Sequence, residues 1–144
     1  MSRPEVLYLP DVNVLVAALV ASHALHHRAA AWMDGAQRFA TCPVTEAGLV
    51  RVLRNEAAMG RKITGAEAVA ALKAVRAADG WEFAPDAASF AVPGVDLSGL
   101  YGYRQVTDLH LVNLAASVGA VVATLDAKLP KALVPADQAL VHLV

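Results

Sequence analysis

Four carboxylates interrupt otherwise apolar stretches of this 144-residue chain: Asp11, Glu46, Asp108 and Asp126. Each stands where a strand should hand over to a helix, or in the first turn of a helix. An open α/β sheet collects its ligands at the carboxyl ends of its strands, so four such junctions on one edge would share a pocket. Two carboxylates about 4 Å apart repel by roughly 4 kcal/mol at an effective dielectric near 20, so a cluster of them must take up protons or bind a cation. Oxygen ligands alone select a hard divalent ion, Mg²⁺ or Mn²⁺. Zinc is disfavoured because no Cys or His cluster accompanies the acids. Such an ion suits phosphodiester hydrolysis, in which it activates water and neutralises the leaving oxygen. Asp11, Glu46 and Asp108 are the ligand candidates, and Asp126 either ligates or orients the attacking water. Asn13 and Thr124 are placed to hydrogen-bond behind them. Taken singly, Thr45-Glu46 and Thr107-Asp108 read as ordinary helix starts, where negative charge is favoured. Only the four together point to a cation site.

The elements that would hold these residues alternate between strand and helix. Val6–Leu9 is a short apolar strand ended by Pro10. Asp11 or Asn13 caps a helix through Val14, Leu15, Ala18 and Leu19. A second helix covers His26–Asp34, with Ala30 and Met33 inward and Gly35 as its stop. Phe39–Cys42 is the next strand, after which Thr45 caps a helix whose Glu46, Leu49, Val50 and Leu53 share one face. Thr64–Ala78 is an Ala-rich helix with Val69, Leu72 and Val75 as its apolar positions, and Trp81–Ala84 is a third strand. Pro85–Arg104 is rich in Pro and Gly and reads as loop, with room for one short helix near Phe90 or Leu97. A helix from Asp108 buries Leu111, Val112, Ala115 and Val118 and stops at Gly119. Val121–Thr124 and Ala139–Leu143 complete the strands. This alternation predicts a single α/β domain over 1–144 with a mainly parallel sheet.

Composition narrows the function. The chain is 57% hydrophobic and 17% charged, which excludes a disordered chain. A net charge of −1 argues against a broad basic surface for nucleic acid, but leaves room for a local strip. Arg51, Arg54, Arg61 and Lys62 follow Glu46 and offer such a strip, although a solvated helix face accounts for them as well. Arg104 lies four residues before Asp108, where approach to the pocket and plain exposure are evenly matched. Trp81, Phe83, Tyr101 and Tyr103 could stack on unpaired bases, with packing the preferred reading for most. His23, His26 and His27 read as exposed or capping, His142 as structural, and His110 as pointing away from Asp108. Cys42, the single cysteine, reads as a small buried apolar residue and excludes an intramolecular disulfide. No apolar run approaches the roughly 20 residues of a bilayer span, so no membrane partner is expected and the chain is expected in the cytoplasm.

Four segments, LPDVNVLVAAL at 9–19, TCPVTEAGLVRVL at 41–53, YRQVTDLHLVNLA at 103–115 and VVATLDAKL at 121–129, resemble the PIN-domain ribonucleases. Within that family they are similar to VapC-type toxins of toxin–antitoxin pairs. The resemblance covers nearly the whole chain and implies a three-layer α/β/α fold and a Mg²⁺- or Mn²⁺-dependent endoribonuclease acting on RNA, often tRNA. It carries the family's acidic positions onto Asp11, Glu46, Asp108 and Asp126, with Asn13 and Thr124 beside them. It also implies a homodimer and a cognate VapB-type antitoxin that covers the pocket. A haloacid-dehalogenase-like phosphatase would need Asp where Asn13 stands, and a receiver-like domain would need adjacent acids after the first strand. The remaining alternative is a PIN-like module that binds RNA or protein without cutting.

Overall fold

The computed structural model describes residues 5–144. Its elements run β1 (Leu7–Pro10), α1 (Val12–Leu19), α2 (His26–Gly35), β2 (Arg38–Thr41), α3 (Pro43–Leu53), α4 (Glu56–Met59), α5 (Gly65–Arg76) and β3 (Trp81–Phe83). After a long irregular stretch, a 3₁₀ turn at Tyr103–Gln105 feeds α6 (Val106–Val118). β4 (Ala120–Thr124), α7 (Lys128–Lys131), a second 3₁₀ segment (Pro135–Leu140) and β5 (Val141–Leu143) follow. The five strands form one sheet in the order β3-β2-β1-β4-β5. Every neighbouring pair is parallel, with Tyr8 opposite both Phe39 and Val121, and Phe39 opposite Trp81.

Side chains alternate across this sheet and build a core on each face. Leu7, Leu9, Ala40, Ala120 and Val122 meet α6 together with Val95, Leu129 and Leu133. On the other face Phe39 and Trp81 pack with α1, α3 and α5, and Tyr8 and Ala123 pack with Val14, Trp32 and Met33. The result is a three-layer α/β/α sandwich. α6 is apolar nearly all round and buries Leu109 and the whole run Leu111–Ala115, as befits a helix enclosed by its neighbours. The polar member of that run, Asn113, is 2% exposed. Its Oδ1 accepts from Gly94 N–H at 2.8 Å and its Nδ2 donates to Ser89 O at 3.2 Å, pinning the irregular stretch to the helix. Gly119 ends α6 at φ 71°, a left-handed cap that disfavours a side chain.

Several boundaries depart from the sequence expectation. Val6 precedes β1, and Pro10 is the last residue of the ladder; the next amide, Asp11 N–H, donates to Ala123 O at 2.9 Å. Cys42 and Ala84 fall just outside their strands. α3 starts at Pro43 because proline is preorganised for a first helical position. Cys42 therefore becomes the cap, with its N–H donating to Thr45 Oγ1 at 3.0 Å. In α2 the fully buried residue is Ala29 rather than Ala30, and in α5 Ala68 and Val75 are buried while Val69 is exposed. α6 begins two residues before Asp108, continuing the 3₁₀ turn, and its Val118 is exposed. No helix forms near Phe90 or Leu97; Asn113 satisfies that backbone instead. Ala139 and Leu140 belong to the 3₁₀ segment before β5, and α4 and α7 had no counterpart in the sequence reading.

Candidate active site

Because all strands run one way, their carboxyl ends lie along a single edge, and the chain reverses its direction of travel across the sheet between β1 and β4. That switch point is where an open α/β sheet leaves a crevice. Asp11 follows β1 on one side of it and Asp126 follows β4 on the other. Asp108 enters from the first turn of α6, and Glu46 stands in the first turn of α3, beyond β2.

Asp11 is 5% exposed and has its carboxylate committed. Oδ1 accepts from Val14 N–H at 3.0 Å, which caps α1. Oδ2 accepts from the Thr124 hydroxyl at 2.6 Å. Burial raises its pKa; the Thr124 and backbone hydrogen bonds work against that rise, and the Asp126 charge adds to it. Thr124, fully buried, also accepts the Asp126 N–H at 3.0 Å, so one hydroxyl ties the ends of β1 and β4 together. Asn13 is exposed and helps Asp11 through its backbone amide.

Asp108 carries the electrostatic signature. Burial first, then the charges of Asp11 and Asp126, push its pKa from 3.8 up to about 6, and no hydrogen bond offsets them. Three carboxylates therefore feel one another without a compensating cation. Glu46 is held apart. Its Oε2 accepts from the Thr41 hydroxyl at 2.6 Å, and its Oε1 lies 3.8 Å from Arg76 Nη1. Among the described residues, no three acidic, His or Cys side chains stand within reach of one common ion, so sharing one requires the other carboxylates to turn toward the fixed Asp11. In donor chemistry and charge the set fits a hard divalent cation: every donor is an oxygen, and the repulsion at Asp108 is what such an ion relieves.

The other sequence candidates lie further out. Arg51 is exposed on α3, and Arg54 Nη1 donates to Ile63 O at 2.8 Å. Arg104 is exposed with its guanidinium 5.8 Å from the Tyr103 ring centroid. His110 meets Asp86 at 2.7 Å instead of the acids, and His142 packs against Tyr8 and Trp32. Cys42 is buried. A cavity of about 720 Å³, lined by Leu19, Leu53, Met59, Ile63 and Ala71 among others, contains none of the four acids. It opens at the far ends of α1 and α3. Sequence reasoning missed Thr41 and Arg76, which control Glu46. Thr41 ends a strand and so had a signal, whereas Arg76 closes a helix whose docking could not be read.

The sequence profile of the PIN domain matches residues 8–133. Ribonuclease VapC29 of Mycobacterium tuberculosis is 44% identical over 122 residues, 84% of this chain and 86% of that protein. Ribonuclease VapC38 of the same organism is 43% identical over 83% of this chain and 84% of its own length. The chain belongs to the PIN-domain family, among its VapC-type members. Two solved structures share the fold: PAE2754 from Pyrobaculum aerophilum (TM-score 0.59, 23% identity, covering 89% of this chain and 80% of that one) and VapBC2 from Rickettsia felis bound to a promoter DNA fragment (TM-score 0.61, 13% identity, covering 96% and 98%).

Proposed function

We propose that this chain is the toxin of a toxin–antitoxin pair, an endoribonuclease that hydrolyses RNA with a divalent cation held by its acidic edge. The observation that carries the chemistry is the placement of Asp108, half-buried and within the field of Asp11 and Asp126 across the switch point, where burial first and then those two charges disfavour its ionised form. The similarity to VapC ribonucleases along 84% of the chain supports RNA as the substrate. Asp11, Asp108 and Asp126 would hold Mg²⁺ or Mn²⁺, with Glu46 joining them. The ion, when bound, supplies Lewis-acid activation of water and charge relief at the leaving oxygen.

The chain's own groups prepare that site. Thr124 and the Val14 amide fix the Asp11 carboxylate in one orientation. Asp108, whose pKa burial and the neighbouring aspartates raise to about 6 in the ion-free protein, must be ionised to serve as a ligand, so protons and the cation compete there and ion affinity should fall as pH drops. Asp126, at the edge of the crevice, would ligate the ion or orient the attacking water. A VapB-type antitoxin as inhibitor, a homodimer as the working form and the cytoplasm as the location complete the proposal. Among the described residues no helix is long and apolar enough to cross a membrane.

The test is RNA cleavage by the purified protein with Mg²⁺, with Mn²⁺ and with chelator, beside the Asp11→Asn variant. Cleavage that needs the ion and falls at least about 100-fold in the variant is expected, since such electrostatic groups are worth that much. Equal RNA loss from both proteins would discard the nuclease reading, and binding without cleavage by the parent would favour a non-catalytic module.

A further inference from the structure

Beside Glu46 lies an arginine whose environment resembles a binding site more than a structural ion pair. Arg76 is the last residue of α5. Its guanidinium carbon sits 4.4 Å from the Trp81 ring centroid and 5.3 Å from that of Phe83. Trp81 is itself held, its indole N–H donating to Thr41 Oγ1 at 2.8 Å, and Thr41 passes its own proton toward Glu46 at 2.6 Å. The guanidinium is thus placed by two rings, one of which, Trp81, a hydrogen-bond chain ties through Thr41 to Glu46.

The Arg76 guanidinium nevertheless makes no hydrogen bond among the described residues. Its contact with Glu46 is 3.8 Å, and its side chain is 45% exposed. Arg38, on the opposite face of the same strands, shows what a satisfied arginine looks like: it grips Glu82 with two bonds of 2.8 and 3.0 Å. A guanidinium offers five donors in a flat fork matched to carboxylate or phosphate oxygens. Here that fork is oriented and open to solvent. The exposed Phe83 ring (42%) lies next to it, and a base can stack on such a surface.

We infer that Arg76, presented by Trp81 and Phe83, is a subsite for the RNA substrate: it takes a backbone phosphate next to the cleavage site while Phe83 receives the adjoining unpaired base. The inference rests on the nuclease reading, because it assigns the ligand class from it. Glu46 then has two roles in sequence, neutralising the guanidinium in the free protein and being released when phosphate replaces it. Arg76 is a substrate-positioning residue, and its loss acts on binding before it acts on the chemical step.

The experiment measures binding of a labelled single-stranded RNA of mixed sequence by fluorescence anisotropy, in the Asp11→Asn background so that the probe survives. Binding is followed as salt is raised. Neutralising one phosphate of a single strand contributes about 0.7 to the slope of log K against log salt. Arg76→Gln should weaken binding several-fold and reduce the slope by about that amount. Arg76→Lys should keep the slope and lose part of the affinity, and Phe83→Leu should weaken binding with the slope unchanged. Arg76→Gln keeps the aliphatic stem and an amide donor while removing the charge, and thermal unfolding of the variant checks that the fold is kept. A slope unaltered in Arg76→Gln overturns the inference while leaving the nuclease reading intact; a parent protein that neither binds nor cuts RNA overturns both.

Discussion

Replacing Asp108 by Asn should make the protein more stable at neutral pH, an unusual outcome for a polar residue at a functional site. In the folded chain its carboxyl group holds a proton up to about pH 6, against 3.8 when unfolded. The folded state therefore binds more protons than the unfolded state between those values, and stability falls as pH rises through the interval. Below about pH 4 the effect is absent; above about pH 6 it is complete. At about 1.36 kcal/mol for each tenfold change in proton affinity the full difference is roughly 3 kcal/mol, and solvent access to the half-buried group reduces it to about 1–2 kcal/mol. Asn keeps the shape and removes the charge. With roughly 3 °C per kcal/mol for a domain of this size, Asp108→Asn should raise Tm by about 3–6 °C at pH 7 and by nothing near pH 4. Thermal unfolding followed by circular dichroism in chelator, at both pH values, measures it. Equal melting temperatures at pH 7, or a gap that persists at pH 4, would refute the raised pKa of Asp108, to which burial contributes first and the neighbouring aspartates add.

Adding millimolar Mg²⁺ or Mn²⁺ at pH 7 should raise the melting temperature of the parent protein, and the gain should shrink in Asp108→Asn and disappear near pH 4; an unchanged melting temperature in the parent counts against a divalent site. Thr124→Val removes the donor to Asp11 Oδ2 and should cost about 1–3 kcal/mol, the usual penalty for stranding a buried acceptor, read by urea denaturation. Gly48→Ala places a methyl 2.5 Å from Val12 Cγ2, where α1 crosses α3. Overpacking of this kind costs about 1–3 kcal/mol, and because Val12 adjoins Asp11, RNA cleavage should fall along with stability.

The junction residues were legible because charge next to an apolar strand has few structural uses, and because a parallel sheet sends every strand end to one side. Asp11, with Thr124 buried against it, is the clearest case. What sequence periodicity could not supply was the lateral position of β3. Only when Trp81 lies beside Phe39 does Arg76 come over its ring and reach Glu46, so the separation of Glu46 from the aspartates was invisible beforehand. The start of α6 was misplaced for a local reason. The 3₁₀ turn at Tyr103–Gln105 carries no side-chain cap, and Asp108 looked like the natural beginning. Asn113 was overlooked amid an apolar stripe, where a lone amide is itself a sign that irregular backbone must be satisfied nearby. The Val118 assignment failed because a period of 3.6 marks a face but does not say how far the neighbouring layer extends.

The bond between Thr124 and Asp11 spans 113 positions of sequence. A polypeptide leaving the ribosome cannot make it until the fourth strand has been synthesised and has slotted in beside the first. Fragments that stop short of that strand lack the bond and Asp126 as well, and should be inert as nucleases.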